Sequence, residues 1–204
     1  MACYIFGAGE MTPLRSRPQE GDYVIAADGG WNACCGEGIV PDLLLGDFDS
    51  LDAAPDFHTV ERVPVEKDDT DMMLAIKRGL VLGHSEFHLY GGMGGRRTDH
   101  TIANLQALSY LAARGACGWL YGDGEVYTAI RNGGIALPAK ERGILSVFCL
   151  GADAQDVTIR GAQYELANAA LTSDFPLGVS NHFVGKEIEV SVGSGTLLLG
   201  LVDE

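Results

Sequence analysis

Basic side chains are scarce in this chain of 204 residues. Lys and Arg together number 14 against 28 Asp and Glu, which gives a formal net charge of −14 at pH 7. Because such a chain repels a phosphate backbone, nucleic-acid binding is disfavoured. A nucleotide is still compatible with this charge, provided that its phosphates are neutralised by a divalent metal or meet a local basic cluster.

Long apolar runs and a signal-like N-terminus are also missing. No apolar run approaches the ~20 residues that a membrane span needs, and Met1–Phe6 lacks the basic region of a signal peptide. The five cysteines are scattered and odd in number, without C-x-x-C spacing, which argues against a disulfide framework or a structural zinc site. We therefore expect a soluble cytoplasmic protein.

Short apolar runs alternate with helical patterns in the first half of the chain. The predicted strands are Cys3–Phe6, Tyr23–Ala27, Leu43–Leu45, Thr59–Val63 and Glu86–Tyr90. Helices are predicted to start near Asp69 and at Asp99, since apolar residues recur there at helical spacing. Alternating strands and helices predict parallel βαβ units in a doubly wound sheet.

The pattern changes from about Tyr127 onward, where no helix is predicted. The strand-like runs are Val126–Ile130, Ile144–Leu150, Asp156–Arg160, Glu187–Val192 and Thr196–Val202. Polar and apolar residues alternate along Glu187–Val192, as in a half-buried antiparallel strand. We predict an α/β fold class with two domains, a doubly wound sheet over residues 1–124 and an all-β sandwich over residues 125–204.

Carboxylates follow two of the predicted strands. Asp28-Gly29-Gly30 comes after the second strand, and Asp47 and Asp49 come after the third. The ligand crevice of an open α/β sheet lies at the carboxyl ends of its strands. Asp28 there can bind a metal or a ribose hydroxyl, although a capping role explains it equally well. Asp47 and Asp49 repel each other unless a cation joins them, so we predict a Mg²⁺ site.

Two further segments carry candidate phosphate ligands. Lys67-Asp68-Asp69-Thr70-Asp71 crowds three carboxylates into one turn, more than helix capping needs, and Lys67 beside them can meet phosphate. Gly91–His100 holds four glycines in its first five residues, then Arg96 and Arg97, at a predicted helix N-terminus. Backbone N–H groups and guanidinium groups both suit phosphate oxygens, so this segment is predicted to hold a polyphosphate.

Taken in order, these motifs resemble the thiamine pyrophosphokinase family, and its bacterial members most closely. The matching segments are Asp28-Gly29-Gly30, Gly46–Ser50, Asp69–Asp71, Gly91–His100, Gln163–Leu166 and Gly178–Phe183. The glycine loop has one residue more than the family's usual Gly-Gly-Arg-x-Asp-His. Spacing to Asp99 therefore favours Arg97 over Arg96 as the family's arginine.

The resemblance implies a fold and an activity. The fold would be an α/β domain followed by a β-sandwich, in a homodimer whose active sites lie between the α/β domain of one subunit and the β-domain of the other. The activity would be transfer of the diphosphoryl group of ATP to the hydroxyl of thiamine, giving thiamine diphosphate and AMP.

The same resemblance implies residue roles. Asp47, Asp49 and Asp71 would hold Mg²⁺ with Asp28 nearby. Apart from the resemblance, the chemistry of such a transfer needs an acceptor for the hydroxyl proton, and we assign Asp71 to it. The nucleotide would be held by the segment that contains Gly94, Gly95, Arg96, Arg97, Asp99 and His100. Ser180 and Asn181 would help to bind thiamine.

Two other functions fit parts of the sequence. An apolar strand followed by Asp-x-Asp also opens the aspartyl-phosphate phosphatase fold, in which Asp47 would be a nucleophile. That motif usually begins its chain, however, and here at least two strands precede it. A non-catalytic nucleotide-sensing module is the other alternative, but binding alone does not need so many carboxylates.

Overall fold

The computed structural model describes residues 1–48, 57–64, 66 and 68–204. Two predicted site residues, Asp49 and Lys67, lie outside the described residues. Within the described part of the chain, no helix is both long and apolar enough to span a membrane. The chain divides into two compact units, the first formed by Met1–Asn104 and Gly118–Asp123, the second by Leu105–Cys117 and Gly124–Glu204.

A parallel sheet forms the core of the first unit. The elements up to Tyr121 are β1 (Cys3–Phe6), β2 (Tyr23–Ala27), α1 (Gly30–Glu37), β3 (Leu43–Gly46), β4 (Val60–Arg62), α2 (Asp71–Val81), β5 (Glu86–Tyr90), α3 (Thr98–Ala112) and β6 (Cys117–Tyr121). The strand order is β6-β5-β1-β2-β3-β4, and β1 pairs in parallel with both β2 and β5. Every residue of β1 is buried, as expected of a strand covered on both faces.

One face of this sheet carries a stack of aromatic rings. The His88 ring lies 4.5 Å from that of Tyr4 and 5.8 Å from that of Tyr121, and its Nδ1 is 2.8 Å from the Tyr121 hydroxyl. Burial lowers the pKa of His88 from its ordinary value of 6.5, although nearby Glu86 opposes the shift. The imidazole is therefore part of the packing of the sheet, and its burial favours the neutral ring.

The long loop between β1 and β2 is tied to the same face through Ser16. The Tyr4 hydroxyl lies 2.7 Å from Ser16 Oγ. The Tyr90 hydroxyl donates to Ser16 O at 2.9 Å and accepts from Ser16 N at 3.0 Å. These bonds anchor the far part of a loop whose first residues belong to the candidate site.

Two antiparallel sheets form the second unit. Its strands are β7 (Glu125–Arg131), β8 (Gly134–Leu137), β9 (Ile144–Cys149), β10 (Ala154–Arg160), β11 (Leu166–Leu171), β12 (Gly178–His182), β13 (Ile188–Ser191) and β14 (Thr196–Val202). The orders are β12-β9-β14-β7 and β11-β10-β13-β8. Buried and exposed residues alternate along β13, so this sheet has one face in the core and one in water.

The predicted fold class is confirmed, and so are the strands and helices predicted from strong periodicity. The helix predicted to start near Asp69 begins at Asp71 instead. The sequence pattern does not predict α1, β6, β8, β11 or β12. Helix α1 is only eight residues long and contains two glycines, and β11 and β12 are edge strands with one buried residue each. The domain boundary after residue 124 stays a prediction.

Candidate active site

A cleft of about 410 Å³ opens in the first unit at the carboxyl ends of β1, β2 and β5. Its wall joins two loops, since Gly7 N donates to Tyr90 O at 2.8 Å and Gly9 N to Gly91 O at 2.9 Å. Gly91 has a φ of +65°, and a Cβ atom there would lie 2.5 Å from Gly7 O. Only glycine fits this conformation and this contact, so the two loops pack directly against each other through their backbones.

Most of the predicted site residues of the first unit line this cleft. They are Asp28, Asp71, Gly94, Gly95, Arg96, Arg97 and His100. Asp47 and Asp99, which the structure describes, are not among the lining residues. The predicted roles of Asp49 and Lys67 fall outside the described residues. The first loop also contributes Glu10, and α3 contributes Asn104.

Asp28 follows β2 in a backbone conformation that non-glycine residues seldom adopt. Its φ is +49°, its N–H donates to Leu45 O at 2.8 Å, and only 8% of its surface is exposed. Buried charges in proteins are paired or coordinate a metal, and strained backbone clusters at functional sites. The geometry therefore favours a ligand-binding role for Asp28 over a capping role, and no side chain caps α1.

The end of β3 brings Asp47 close to Asp28 along the sheet. Gly46 packs so tightly that a Cβ atom would lie 3.0 Å from Asp28 Cα. Phe48, which follows Asp47, has a φ of +61° and is buried, with Arg62 Cζ 5.5 Å from its ring centroid. The buried ring of Phe48 anchors the segment directly after β3. Asp47 lies between Gly46 and Phe48, which are both tightly packed, and is half-buried.

The first turn of α2 separates the carboxylates that are crowded in the sequence. Thr70 is the N-cap and accepts from Met73 N at 3.2 Å, so it supplies the capping expected of this segment. Asp69 pairs with Lys77, whose Nζ lies 2.7 Å from its carboxylate. Asp71, by contrast, lines the cleft. Of the two, only Asp71 is therefore placed to meet a ligand there.

The glycine loop forms another part of the wall. Gly94 and Gly95 both have positive φ values, and Gly95 N donates to Glu10 Oε2 at 3.2 Å. The carboxylate oxygen stands here where a phosphate oxygen could bind. Arg97 makes a two-point ion pair with Asp99, with Nε 2.9 Å from Oδ1 and Nη2 2.8 Å from Oδ2. Hydrogen bonding from Arg97 lowers the pKa of Asp99 to about 2.

Asn104, in α3, holds the glycine loop through a hydrogen bond to its backbone. It is 5% exposed, and its Nδ2 donates to Gly92 O at 2.7 Å. The sequence shows Asn104 as part of the segment that continues the glycine loop, yet no role could be predicted for it. The partner is a backbone carbonyl 12 residues away, which no side-chain pattern reveals.

No group of three or more His, Cys, Asp or Glu side chains comes together closely enough to hold a metal ion among residues 1–48, 57–64, 66 and 68–204. Asp28 and Asp71 nevertheless line one cleft. Their carboxylate oxygens are the hard ligands that Mg²⁺ takes, and Mg²⁺ commonly uses one or two protein carboxylates together with waters and substrate phosphates. The chemistry of this donor set therefore fits Mg²⁺.

Ser180 and Asn181 belong to β12 in the second unit. Ser180 is exposed and has a φ of +60°, and its N–H lies 3.2 Å from Ser146 Oγ. Asn181 is buried, and its side chain bonds to the backbone of Tyr164. The two neighbouring residues thus face different surroundings, one in water and one in the protein interior.

Comparison with known proteins gives matches along most of the chain. The family model described as thiamin pyrophosphokinase, catalytic domain, matches residues 15–117. The model described as thiamin pyrophosphokinase, vitamin B1 binding domain, matches residues 135–197. A thiamine pyrophosphokinase from Bacillus subtilis (strain 168) is 27% identical over 186 residues, which cover 86% of this chain and 85% of the relative.

Solved structures match over the full length. A thiamine pyrophosphokinase structure from Bacillus subtilis has a TM-score of 0.90 and 25% identity, with 100% of both chains covered. One from Geobacillus thermodenitrificans has a TM-score of 0.87 and 25% identity, covering 100% of this chain and 98% of its own. The Candida albicans enzyme, at 14% identity and a TM-score of 0.81, shares the fold over 99% of this chain and 89% of its own. Since the catalytic-domain model alone spans half of the sequence, the chain is an enzyme that belongs to the thiamin pyrophosphokinase family.

Proposed function

We propose that this enzyme transfers the diphosphoryl group of ATP to the hydroxyl of thiamine and releases AMP. The observation that carries the proposal is the cleft of the first unit, whose lining combines three carboxylates with a glycine loop and two arginines. The matches to a catalytic domain and to a vitamin B1 binding domain support the choice of substrates.

The nucleotide phosphates are assigned to the glycine loop. Gly94 and Gly95 offer backbone N–H groups, and Arg96 and Arg97 offer guanidinium groups that suit phosphate oxygens. Asp99 orients Arg97 through their ion pair. His100, in the first turn of α3, also lines the cleft, and Lys67 is assigned as a further cation. Binding of phosphate at the Gly95 amide requires Glu10 to release it.

Magnesium is assigned to the carboxylates that follow the strands and open α2. We propose that Asp47, Asp49 and Asp71 hold Mg²⁺, with the buried Asp28 beside them. When bound, the metal would neutralise charge on the phosphate oxygens and so reduce their repulsion of the incoming hydroxyl.

The chemistry is a displacement at the β-phosphorus. The hydroxyl oxygen of thiamine forms a bond to the β-phosphorus, and the bond from that phosphorus to the oxygen bridging to the α-phosphate breaks. AMP leaves with the bridging oxygen, and the hydroxyl proton passes to a carboxylate, for which we assign Asp71. Positioning of the groups and stabilisation of charge supply most of the rate in such transfers.

The thiamine site and the assembly are proposed from the family resemblance. Ser180 and Asn181 belong to the thiamine site, and the active enzyme is a homodimer whose sites are shared between subunits. We also propose a cytoplasmic location, because five free cysteines suit a reducing compartment.

The proposal is tested by identifying the nucleotide product. Purified enzyme with ATP, Mg²⁺ and thiamine should form AMP in step with thiamine diphosphate on anion-exchange chromatography, and omission of thiamine should abolish both. ADP formed in step with product would contradict diphosphoryl transfer. Phosphate released without an acceptor would favour the phosphatase alternative, and nucleotide binding without turnover would favour the sensing module.

A further inference from the structure

Glu10 places a carboxylate against the glycine loop that we assign to the nucleotide phosphates. Gly95 N donates to Glu10 Oε2 at 3.2 Å, and a Cβ atom added at Gly94 would lie 3.2 Å from the same oxygen. Gly94 and Gly95 have φ values of +75° and +71°, and backbone N–H groups in such a turn form a concave site for an anion. A carboxylate of the protein itself therefore occupies an anion site of the cleft. We call this interaction the Glu10 contact.

The backbone that carries Glu10 is fixed on both sides. Gly9 N donates to Gly91 O at 2.9 Å, and farther along the same loop Ser16 bonds through its backbone to the Tyr90 hydroxyl. The Glu10 side chain is exposed, so it can leave the amide by rotation about its own bonds while the backbone stays in place. A carboxylate on a fixed backbone has a high effective concentration at the amide, and it therefore competes with an anion from solution.

Release of Glu10 costs more for a free nucleotide than for a nucleotide bound to a metal. The cleft also holds the carboxylates of Asp28 and Asp71. A free triphosphate that takes the Gly95 amide leaves the Glu10 carboxylate beside its own negative charge, in a concave site where like charges repel strongly. A nucleotide that carries Mg²⁺ brings a cation that offsets this repulsion. The Glu10 contact therefore disfavours the free nucleotide more than its magnesium complex.

We propose that Glu10 is a specificity-determining residue of the cleft. Its carboxylate competes with nucleotide phosphate for the Gly95 amide, and it thereby makes the cleft prefer the magnesium complex of a nucleoside triphosphate over the free nucleotide. The proposal rests on the proposed function and adds to it a residue that lies outside both matched family models, which cover residues 15–117 and 135–197.

The first test measures binding without turnover. The probe is α,β-methylene-ATP, in which a methylene group replaces the bridging oxygen at the bond that the proposed reaction breaks. Calorimetric titrations at low ionic strength, where repulsion is least screened, give one Kd with excess Mg²⁺ and one with a chelator. Glu10→Ala should lower the Kd for the free analogue by about tenfold, which corresponds to a Glu10 contact formed about 90% of the time. The Kd for the magnesium complex should fall less than about threefold, because the cation already offsets the repulsion.

Two substitutions separate the contact from the charge. Glu10→Asp keeps the charge but shortens the side chain by one methylene group, so it should lose the contact and bind the free analogue more tightly than the wild type. Glu20→Gln removes an equal charge from an exposed position of the same loop and should change neither Kd.

Amide hydrogen exchange reports on the contact directly. Without nucleotide, the Gly95 N–H should exchange faster in Glu10→Ala and Glu10→Asp than in the wild type, because it loses its acceptor. Addition of the magnesium complex of the analogue should slow this exchange in all three proteins, because a phosphate oxygen then accepts from the same N–H.

The outcomes separate this proposal from the proposed function. An unchanged Kd for the free analogue in Glu10→Ala overturns it, and so does an equal gain for the free analogue and its magnesium complex. A Glu10→Asp protein that binds like the wild type shows that charge alone matters, and weaker binding of the magnesium complex by Glu10→Ala shows that Glu10 helps to hold the metal; both results also overturn it. A wild type that binds the analogue but forms no AMP from ATP and thiamine overturns the proposed function alone. A wild type that does not bind the magnesium complex overturns both.

Discussion

Asn104 offers a direct test of how the glycine loop is held. Asn104→Ala removes the 2.7 Å hydrogen bond from Nδ2 to Gly92 O and leaves that carbonyl without this donor. The side chain is buried, so water does not readily replace it. We expect the substitution to lower the free energy of unfolding and to loosen the wall of the cleft.

The size of the effect follows from the burial. A buried hydrogen-bonding group that loses its partner costs about 1–3 kcal/mol. For a chain of this length, about 2 kcal/mol lowers the melting temperature by about 4–8 °C. Asn104→Asp should be destabilised at neutral pH as well, because a carboxylate oxygen would then face the Gly92 carbonyl and repel it.

The assay combines thermal unfolding with steady-state kinetics. Asn104→Ala should melt earlier and show a raised KM for ATP, because the loop that we assign to the phosphates is no longer fixed. Gln106→Ala, an amide removed from an exposed position of the same helix, is the matched control and should change neither quantity. An Asn104→Ala protein that melts with the wild type and keeps its KM for ATP would refute the reasoning.

Three further predictions use other parts of the chain. Asp47→Ala or Asp49→Ala should abolish activity with little change in melting temperature, and near-wild-type turnover at low Mg²⁺ would contradict the metal assignment. Exchange of subunits between Asp49→Ala and Asn181→Ala, assayed at low thiamine, should give more activity than the two variants apart; a mixture that gains nothing argues against shared sites. Burial lowers the pKa of His88 in the folded chain, so as the pH falls the unfolded chain binds a proton at this residue before the folded chain does. The free energy of unfolding should therefore fall as the pH drops below 6.5. Urea unfolding on both sides of that pH should show a smaller fall in His88→Gln.

The parts of the fold that could be predicted have their signal within a few neighbouring residues. β1 and β2 are continuous apolar runs, and α2 carries apolar residues at helical spacing behind a Thr cap. Helix α1 lacks such a signal, because its eight residues form a helix through contacts with β1 and β2 rather than through an apolar stripe of their own. Edge strands such as β11 and β12 likewise depend on pairing partners that the local sequence does not show.

In the candidate site, too, some features could be predicted from the local sequence and others depend on contacts between distant residues. The order of strand, carboxylate and glycine along the sequence indicated several of the residues that line the cleft, because the ends of parallel strands must meet at one edge. Asp47 and Asp99 were indicated in the same way and are not among the lining residues. The contacts that hold those residues join distant positions and carry no local pattern. Glu10 reaches the Gly95 amide across 85 positions, and Asn181 reaches Tyr164 across 17. The sequence therefore indicated candidate ligands but not the long-range contacts that hold the site together.

The charges of the cleft explain why we assign a metal to it. Among the described lining residues, Glu10, Asp28 and Asp71 contribute three carboxylates against the two guanidinium groups of Arg96 and Arg97, and Asp99 already pairs with Arg97. Such a lining does not attract the strongly anionic phosphates of ATP by itself, because like charges in a concave, partly dehydrated site repel strongly. A divalent cation that binds the same carboxylates would offset the excess negative charge of the site. The acidic residues and the glycine loop can then bind the same metal–nucleotide complex, whereas without a cation the carboxylates would repel the phosphates that the loop binds.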